Sequence, residues 1–456
     1  MDEMLEKKYE ELHELLLEKK HRSYAGAAAL LSPVDLADFL SSLEEPSLLP
    51  AFRLLPKDVA ADTFAELEPD VQEKIIMCSG DAHLAQLVDS LAVDDAVDCL
   101  QELPAGMVKR ILRRTSPETR ALINKFLSYP DGSAGSVMTA EFLSLKESFT
   151  VKEAVEHIRG TGIDKETVYV AYITDGRSML RGIVSLRDLL FASEDTRIGD
   201  IMETDIISAG TLEHREAVAE IISRYDLLAL PIVDNEGRLV GIVTVDDAVD
   251  VLKEEATEDI EKMAGIAPSD KPYMKSSVAS IYKKRIPWLL LLMLSATFTG
   301  SIITRFDGML SSYVLLTAFI PMLMNSGGNA GGQTSVTVIR AISLDEVRLG
   351  DIFRVWYKEL RVALLSGVTL GAVNFIKTLL IDFHCVFSAT NLLTAAVVSM
   401  TLILVIPVAN LIGASLPILA KRLGFDPAVM ASPFITTIVD AVSLLIFFSL
   451  ATVWMP

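Results

Sequence analysis

Residues 436–454, "TTIVDAVSLLIFFSLATVW", form an apolar run that carries a single acid, Asp440. At mid-bilayer an Asp costs about 2.5 to 3.5 kcal/mol on insertion scales, so an intramembrane carboxylate marks an ion or proton pathway by default. The bland alternative is a protonated or hydrogen-bonded structural Asp. A second run, "PMLMNSGGNAGGQTSV" (321–336), breaks an apolar stretch with Pro321, four glycines, Asn325, Asn329, Gln333 and Thr334. Small residues allow close helix packing. That many amide and hydroxyl groups also suits a pore wall, because irregular backbone at membrane depth survives where it is buried or lines a watery cavity. A ring of carboxylate and amide oxygens would favour a hard divalent cation. Magnesium keeps much of its water and needs only one or two carboxylates.

A third constellation is the acidic run "VDDAVDVLKEEATEDIEK" (245–262), where helical spacing puts Asp247, Asp250 and Glu254 on one face and Glu255, Glu258 and Asp259 on another. A solvated charged face is the ordinary explanation. Carboxylates about 4 Å apart repel by about 4 kcal/mol at an effective dielectric of 20, so such faces can also hold domains apart until a divalent ion neutralises them.

Several elements must position these groups. The chain has 456 residues, 51% hydrophobic, and a net charge of −20. Residues 1–275 carry −24 and residues 276–456 carry +4, so the acidic part favours cations over nucleic acid. Cys78, Cys99 and Cys385 form no metal-ligand or CxxC spacing, and the charged N-terminus lacks a signal-peptide core. Residues 4–21 read as an amphipathic helix. "LPKDVAADTFAELEPDVQEKII" (55–76) then repeats as "LAVDDAVDCLQELPAGMVKRIL" (91–112) at an offset of 36, which predicts a superhelical array of helix pairs.

Beyond residue 132 the pattern becomes short β-branched strands alternating with helices. "YITDGRSMLRGIVSLRDLL" (172–190) resembles "PIVDNEGRLVGIVTVDDAV" (231–249), with Ser185 and Thr244 as N-caps and Asp188 and Asp247 three residues on. The two halves resemble a tandem pair of CBS (cystathionine β-synthase) domains, a module that often binds adenine nucleotides. Five apolar spans follow, near 286–304, 313–338, 360–381, 391–419 and 432–454. Lys283, Lys284, Arg285, Arg340, Arg348, Arg354, Lys358, Arg361, Lys421 and Arg422 fall on one side, which places the N-terminal domains inside and the C-terminus outside.

This order, with "PMLMNSGGNAGGQTS" and "GFDPAVMASPFITTIVD", resembles the MgtE family of magnesium channels across almost the whole chain. The resemblance implies an α-superhelical domain (1–132), an α/β tandem CBS module (133–250), a connecting plug helix (251–280) and an all-α five-span pore domain (281–456). It implies a homodimer in the inner membrane that admits Mg2+. The pore ligands would be Asp440, Thr436 and Asn329. The cytosolic sensors would be Asp95, Glu216, Asp226, Asp247, Asp250, Glu255, Glu258, Asp259 and Asp426. ATP would be a regulator at Thr244 and Asp247. Two other classes stay open from the sequence: an exchanger coupled to H+ or Na+, and a membrane receptor or scaffold. An enzyme is disfavoured, since the six histidines are scattered and no P-loop is present.

Overall fold

The computed structural model describes residues 2–101, 103–269, 273–274, 276–344, 346–384, 386, 388–430 and 432–455. Cys385 and part of the expected 251–280 connector lie outside the described residues. The chain divides into two compact units, Met1–Lys253 and Glu254–Pro456.

The first unit opens with ten helices: α1 (Asp2–Leu17), α2 (His21–Ala28), α3 (Pro33–Ser42), α4 (Glu45–Arg53), α5 (Lys57–Ala65), α6 (Pro69–Cys78), α7 (Asp81–Ser90), α8 (Val93–Gln101), α9 (Ala105–Leu112) and α10 (Pro117–Phe126). From α2 onward each begins 12 residues after the last. The 36-residue repeat is therefore three helix-and-turn units, not the helix pairs that its length suggested. Short helices that cannot each bury a face alone pack on the helix two along: α3 on α5, α5 on α7, α7 on α9, α4 on α6 and α8 on α10. Proline at the first or second helical position restarts α3, α4, α6 and α10, where its missing N–H costs nothing.

After α11 (Ala134–Val137) come β1 (Leu143–Leu145), α12 (Val151–Thr161), β2 (Val170–Thr174), β3 (Leu180–Ser185), α13 (Leu186–Phe191), α14 (Ile198–Ile201), β4 (Ala209–Gly210), α15 (Arg215–Tyr225), β5 (Ala229–Val233), β6 (Leu239–Thr244) and α16 (Val245–Met263). Each half makes one three-stranded sheet, with a parallel first pair, an antiparallel second pair and a register shift near the same point of the second strand. The halves exchange bridges, Thr139 with Ile242 of β6 and Glu203 with Ile183 of β3. Ser185 makes the expected capping box with Asp188. Helix α12 gains another from Thr150 and Glu153.

The second unit holds α17 (Val278–Arg305), α18 (Asp307–Ser312), α19 (Ile320–Ser343), α20 (Ile352–Lys377), α21 (Ala389–Arg422) and α22 (Ser432–Trp454). A short 3-10 turn, Val314–Phe319, precedes α19, and a π-turn, Thr378–Asp382, ends α20. Among the described residues four stretches are long and apolar enough to cross a membrane: Val278–Arg305, Leu349–Asp382, Ala389–Arg422 and Phe434–Trp454. Helix α19, whose polar and glycine content lowers its hydropathy, is not one of them; it lies against α21 and α22.

Candidate functional site: a carboxylate chamber and two acidic clusters

Helices α19 and α22 flank an open-sided chamber of about 500 Å3 lined by Ile320, Pro321, Met324, Asn325, Gly328, Asn329, Thr436 and Asp440. The Asp440 carboxylate faces it with no hydrogen-bond or ion-pair partner among the described residues. Asn329 Nδ2 donates to Asn325 Oδ1 at 3.1 Å, which leaves the Asn329 carbonyl oxygen for a ligand. Gly328 lets α19 come close: a Cβ there would stand 3.0 Å from Thr436 Cγ2 and 3.8 Å from Asp440 Oδ1. The two readings of the glycine-rich run apply to different residues. Gly327 and Gly331 pack against Val405, Val439, Ile435 and the Ala409 carbonyl, while Asn325 and Asn329 face the chamber. Thr334 does not join them. Its hydroxyl donates to Glu359 Oε2 at 3.0 Å, and Gln333 is not among the chamber residues.

In the first unit, Asp94 and Asp95 stand in the first turn of α8, where acids suit the helix dipole. Burial, then the neighbouring Asp95, Asp247 and Glu166 charges, push the Asp94 carboxyl up to about 8. Burial and the charges of Asp98, Asp247, Glu66 and Glu141 push Asp95 up to about 7. Asp94 Oδ1 is enclosed without a hydrogen-bond partner. Glu166 is raised by burial and then by Asp247 and Asp246. Asp247 is also raised by burial, against the lowering effect of Thr244, whose hydroxyl donates to Asp247 Oδ2 at 2.6 Å. The charges that bear most strongly on this group are thus other carboxylates.

Of the expected sensor residues, the fold brings Asp95 and Asp247 into this group, and it adds Asp94 and Glu166, which sequence reasoning did not assign. Asp250 faces solvent and pairs with Lys253 at 2.8 Å. Glu216 lies in the first turn of α15, and Asp226 ends that helix in left-handed conformation with φ 52°. Neither figures among the main charges on the cluster. Glu255 and Asp259 occupy the second half of α16. Among the described residues no three His, Cys, Asp or Glu side chains converge as a ready-made metal cage.

The second unit brings together Glu258 and Asp426, around a lysine. Lys262 Nζ lies 2.6 Å from Glu258 Oε1 and 2.6 Å from Asp426 Oδ2. Burial by itself would lower this ammonium, but the hydrogen bonds to Asp426 and Glu258 outweigh it and raise it above the usual lysine range. Asp426 Oδ1 accepts from the Ala428 N–H at 2.8 Å. The end of α16 is anchored to α17 as well. Gly265, at φ 70°, lies flat on the Trp288 ring where any Cβ would collide, and the Ala267 N–H donates to the Lys284 carbonyl at 3.2 Å.

Models of known families match all three regions: the MgtE intracellular N domain at 31–132, CBS domains at 134–195 and 198–254, and the MgtE divalent cation transporter at 320–450. The magnesium transporter MgtE of Thermus thermophilus is 36% identical over 98% of both chains. The chain belongs to the MgtE family of magnesium transporters. The Bacillus subtilis magnesium transporter MgtE is 32% identical over 96% of this chain and 95% of its own. Two crystal structures resemble the N-terminal part. The soluble part of a magnesium transporter has a TM-score of 0.54 at 31% identity, covering 55% of this chain and 99% of its own. The cytosolic domain of the Mg2+ channel MgtE in complex with ATP has a TM-score of 0.50 at 35% identity, covering 53% and 98%. A helical N domain, a CBS pair and a C-terminal set of apolar helices are the MgtE arrangement, that of a membrane transport protein and not an enzyme.

Proposed function

We propose that this MgtE protein is a Mg2+ channel in which two copies of the chain line one pore with their Asp440 carboxylates. The domains run 1–132, 133–250, 251–280 and 281–456, and five spans put the soluble part in the cytosol of an inner-membrane protein. The single observation that carries the reading is Asp440, a carboxylate with no partner among the described residues, in a chamber that it shares with Asn325, Asn329 and Thr436 among apolar residues. One carboxylate per copy, with Asn329 and Thr436 beside it, suits a cation that keeps most of its water. Influx needs no fuel, since a divalent ion gains about 4.6 kcal/mol per 100 mV of inside-negative potential, twice the single-charge value.

Gating follows from the acids outside the membrane. Cytosolic Mg2+ neutralises Asp94, Asp95 and Asp247, with Glu166 beside them, and closes the helical array on the CBS pair. Of the remaining expected ligands, Glu216, Asp226, Asp250, Glu255 and Asp259 extend the sensor, Glu258 and Asp426 instead hold Lys262, and α16 carries closure to the pore as a plug. ATP, which is bound in the related cytosolic domain, would meet Thr244 and Asp247 and so share a carboxylate with Mg2+.

The test is a patch recording of the reconstituted protein while cytosolic Mg2+ is stepped. A voltage-driven Mg2+ current that Asp440→Ala and Asp440→Asn abolish is expected. Flux that requires a pH or Na+ gradient would instead identify an ion-coupled exchanger.

A further inference from the structure

Apart from Asp440, the helical core of the membrane unit holds another acid, Glu359, in the third turn of α20. Its Oε2 accepts from Thr334 Oγ1 of α19 at 3.0 Å and from Asn410 Nδ2 of α21 at 3.3 Å. Thr334 and Asn410 are each only 5% exposed, and the Asn410 Oδ1 has no partner. No lysine or arginine pairs with Glu359 among the described residues. Beside this junction α19 and α21 touch backbone to backbone, because a Cβ on Gly413 would collide with the Gly331 carbonyl.

Thr334 lies five residues beyond Asn329 and nine beyond Asn325, so at 100° per residue it points about 140° and about 180° away from them. Glu359 therefore holds α19 from the side opposite the chamber. Glycines at 327, 328, 331 and 332 leave that helix few knobs to lock its rotation against its neighbours. Directional, charge-assisted hydrogen bonds can supply the missing specificity.

We propose that Glu359 is a positioning residue for conduction: by gripping Thr334 and Asn410 it fixes the rotation of α19 that presents Asn325 and Asn329 to the Asp440 chamber. The inference rests on the reading of that chamber as the ion path. Loss of the carboxylate leaves two buried donors unsatisfied and lets α19 turn. A glutamine keeps one oxygen that accepts both donors but removes the charge, so it separates position from electrostatics.

The experiment is a bi-ionic Mg2+/Ca2+ recording of full-length protein in planar bilayers, with gel filtration of each variant as a check on folding. Glu359→Ala should lower the Mg2+ over Ca2+ permeability ratio by about tenfold, the equivalent of about 1.4 kcal/mol. Glu359→Gln should stay within about twofold of wild type, whereas Glu359→Asp, too short to reach both donors, should behave like the alanine variant. A wild-type ratio in Glu359→Ala overturns the proposal. So does a glutamine variant as impaired as the alanine one, which would assign the effect to charge. Should Glu359→Ala aggregate, Thr334→Val and Asn410→Leu each remove one donor, and wild-type ratios in both overturn it equally. Asp440→Asn in the same recordings separates the two readings. Normal conduction there sinks the chamber as ion path, while a silent Asp440→Asn beside a normal Glu359→Ala sinks only the role of Glu359.

Discussion

The two acidic clusters outside the membrane use the same side chains in opposite electrostatic settings. Burial is the main cause that raises the carboxyls of Asp94, Asp95, Glu166 and Asp247, and the charges that add to it are other carboxylates. Around Glu258 and Asp426 a lysine of the same chain already stands where a cation would go. In the first cluster burial and mutual repulsion keep the carboxyls partly protonated, and a cation would displace those protons; in the second one ammonium already offsets one of the two carboxylate charges. Helix α16 contributes to both, with Asp247 in its first turn and Lys262 in its last. The difference teaches that density of acids does not make a sensor. What matters is whether the fold has already supplied the counter-charge.

The largest effect should come from abolishing the first cluster. Asp94→Asn, Asp95→Asn, Asp247→Asn combined leaves Glu166 as the one carboxylate of the named four, so the open fraction should lose most of its dependence on Mg2+. Moving a gate from 1:99 to 99:1 takes about 5.5 kcal/mol of differential binding, and this variant removes its main source. The readouts are the current during Mg2+ steps and protease cleavage of the 251–275 connector with and without chelator. A full Mg2+ response in the triple variant would move the sensor elsewhere.

A smaller effect, on the order of tenfold per pH unit for each proton displaced, should appear in the same cluster as pH changes. Asp94 at about 8 and Asp95 at about 7 stand above the ordinary Asp value of about 3.9. In the absence of Mg2+ the folded state then binds more protons than the unfolded chain between about pH 4 and pH 8. Their contribution to stability is full below about pH 4 and is lost as pH rises through 7 and 8. Mg2+ needs the deprotonated ligands, so closure should demand more Mg2+ at pH 6.5 than at pH 7.5. Lys262, raised above the lysine range, keeps its charge throughout that interval, so the second cluster should add no pH dependence. Midpoints of current block at the two pH values decide it. An identical midpoint, or a shift that persists in Asp94→Asn with Asp95→Asn, counts against the assignment.

The sequence disclosed the architecture more readily than the pairing of its charges. Tandem CBS halves were legible because Ser185/Asp188 and Thr244/Asp247 recur in matched strand-turn-strand settings, and the fold keeps both arrangements. Asp440 was legible because one acid among apolar residues has no local explanation. The 36-residue repeat was legible as a period but not as three 12-residue units, because sequence identity recurs only every third helix. Glu359 escaped because the third apolar span was drawn from residue 360, one position past it; helix α20 begins at Ile352, and its first two turns are too polar for hydropathy to include. Asp94 was visible in the repeat as the partner of Asp58, yet only packing against the CBS acids distinguishes the two. Lys262 reads in sequence as an ordinary i,i+4 partner of Glu258. Its contact with Asp426, 164 residues away, is a property of the fold alone.

That contact yields the smallest effect and the sharpest contrast. Lys262→Gln leaves Glu258 and Asp426 facing each other without a cation, so an external ion must replace the ammonium before the end of α16 settles. Partly exposed pairs of this kind contribute about 0.2 to 1 kcal/mol each, which corresponds per pair to a rise of about 1.4-fold to fivefold in the Mg2+ concentration that halves the current. Unlike the triple variant, Lys262→Gln should retain the full amplitude of the response, with only its midpoint displaced. Glu258→Gln in the same chain should bring the midpoint part of the way back, since it removes one of the two charges left unpaired, and the double-mutant cycle measures how far the two residues act as a unit. If Lys262→Gln instead lowered the midpoint, the lysine would be holding the plug away from the closed position. If it flattened the response, the second cluster and not the first would be the sensor.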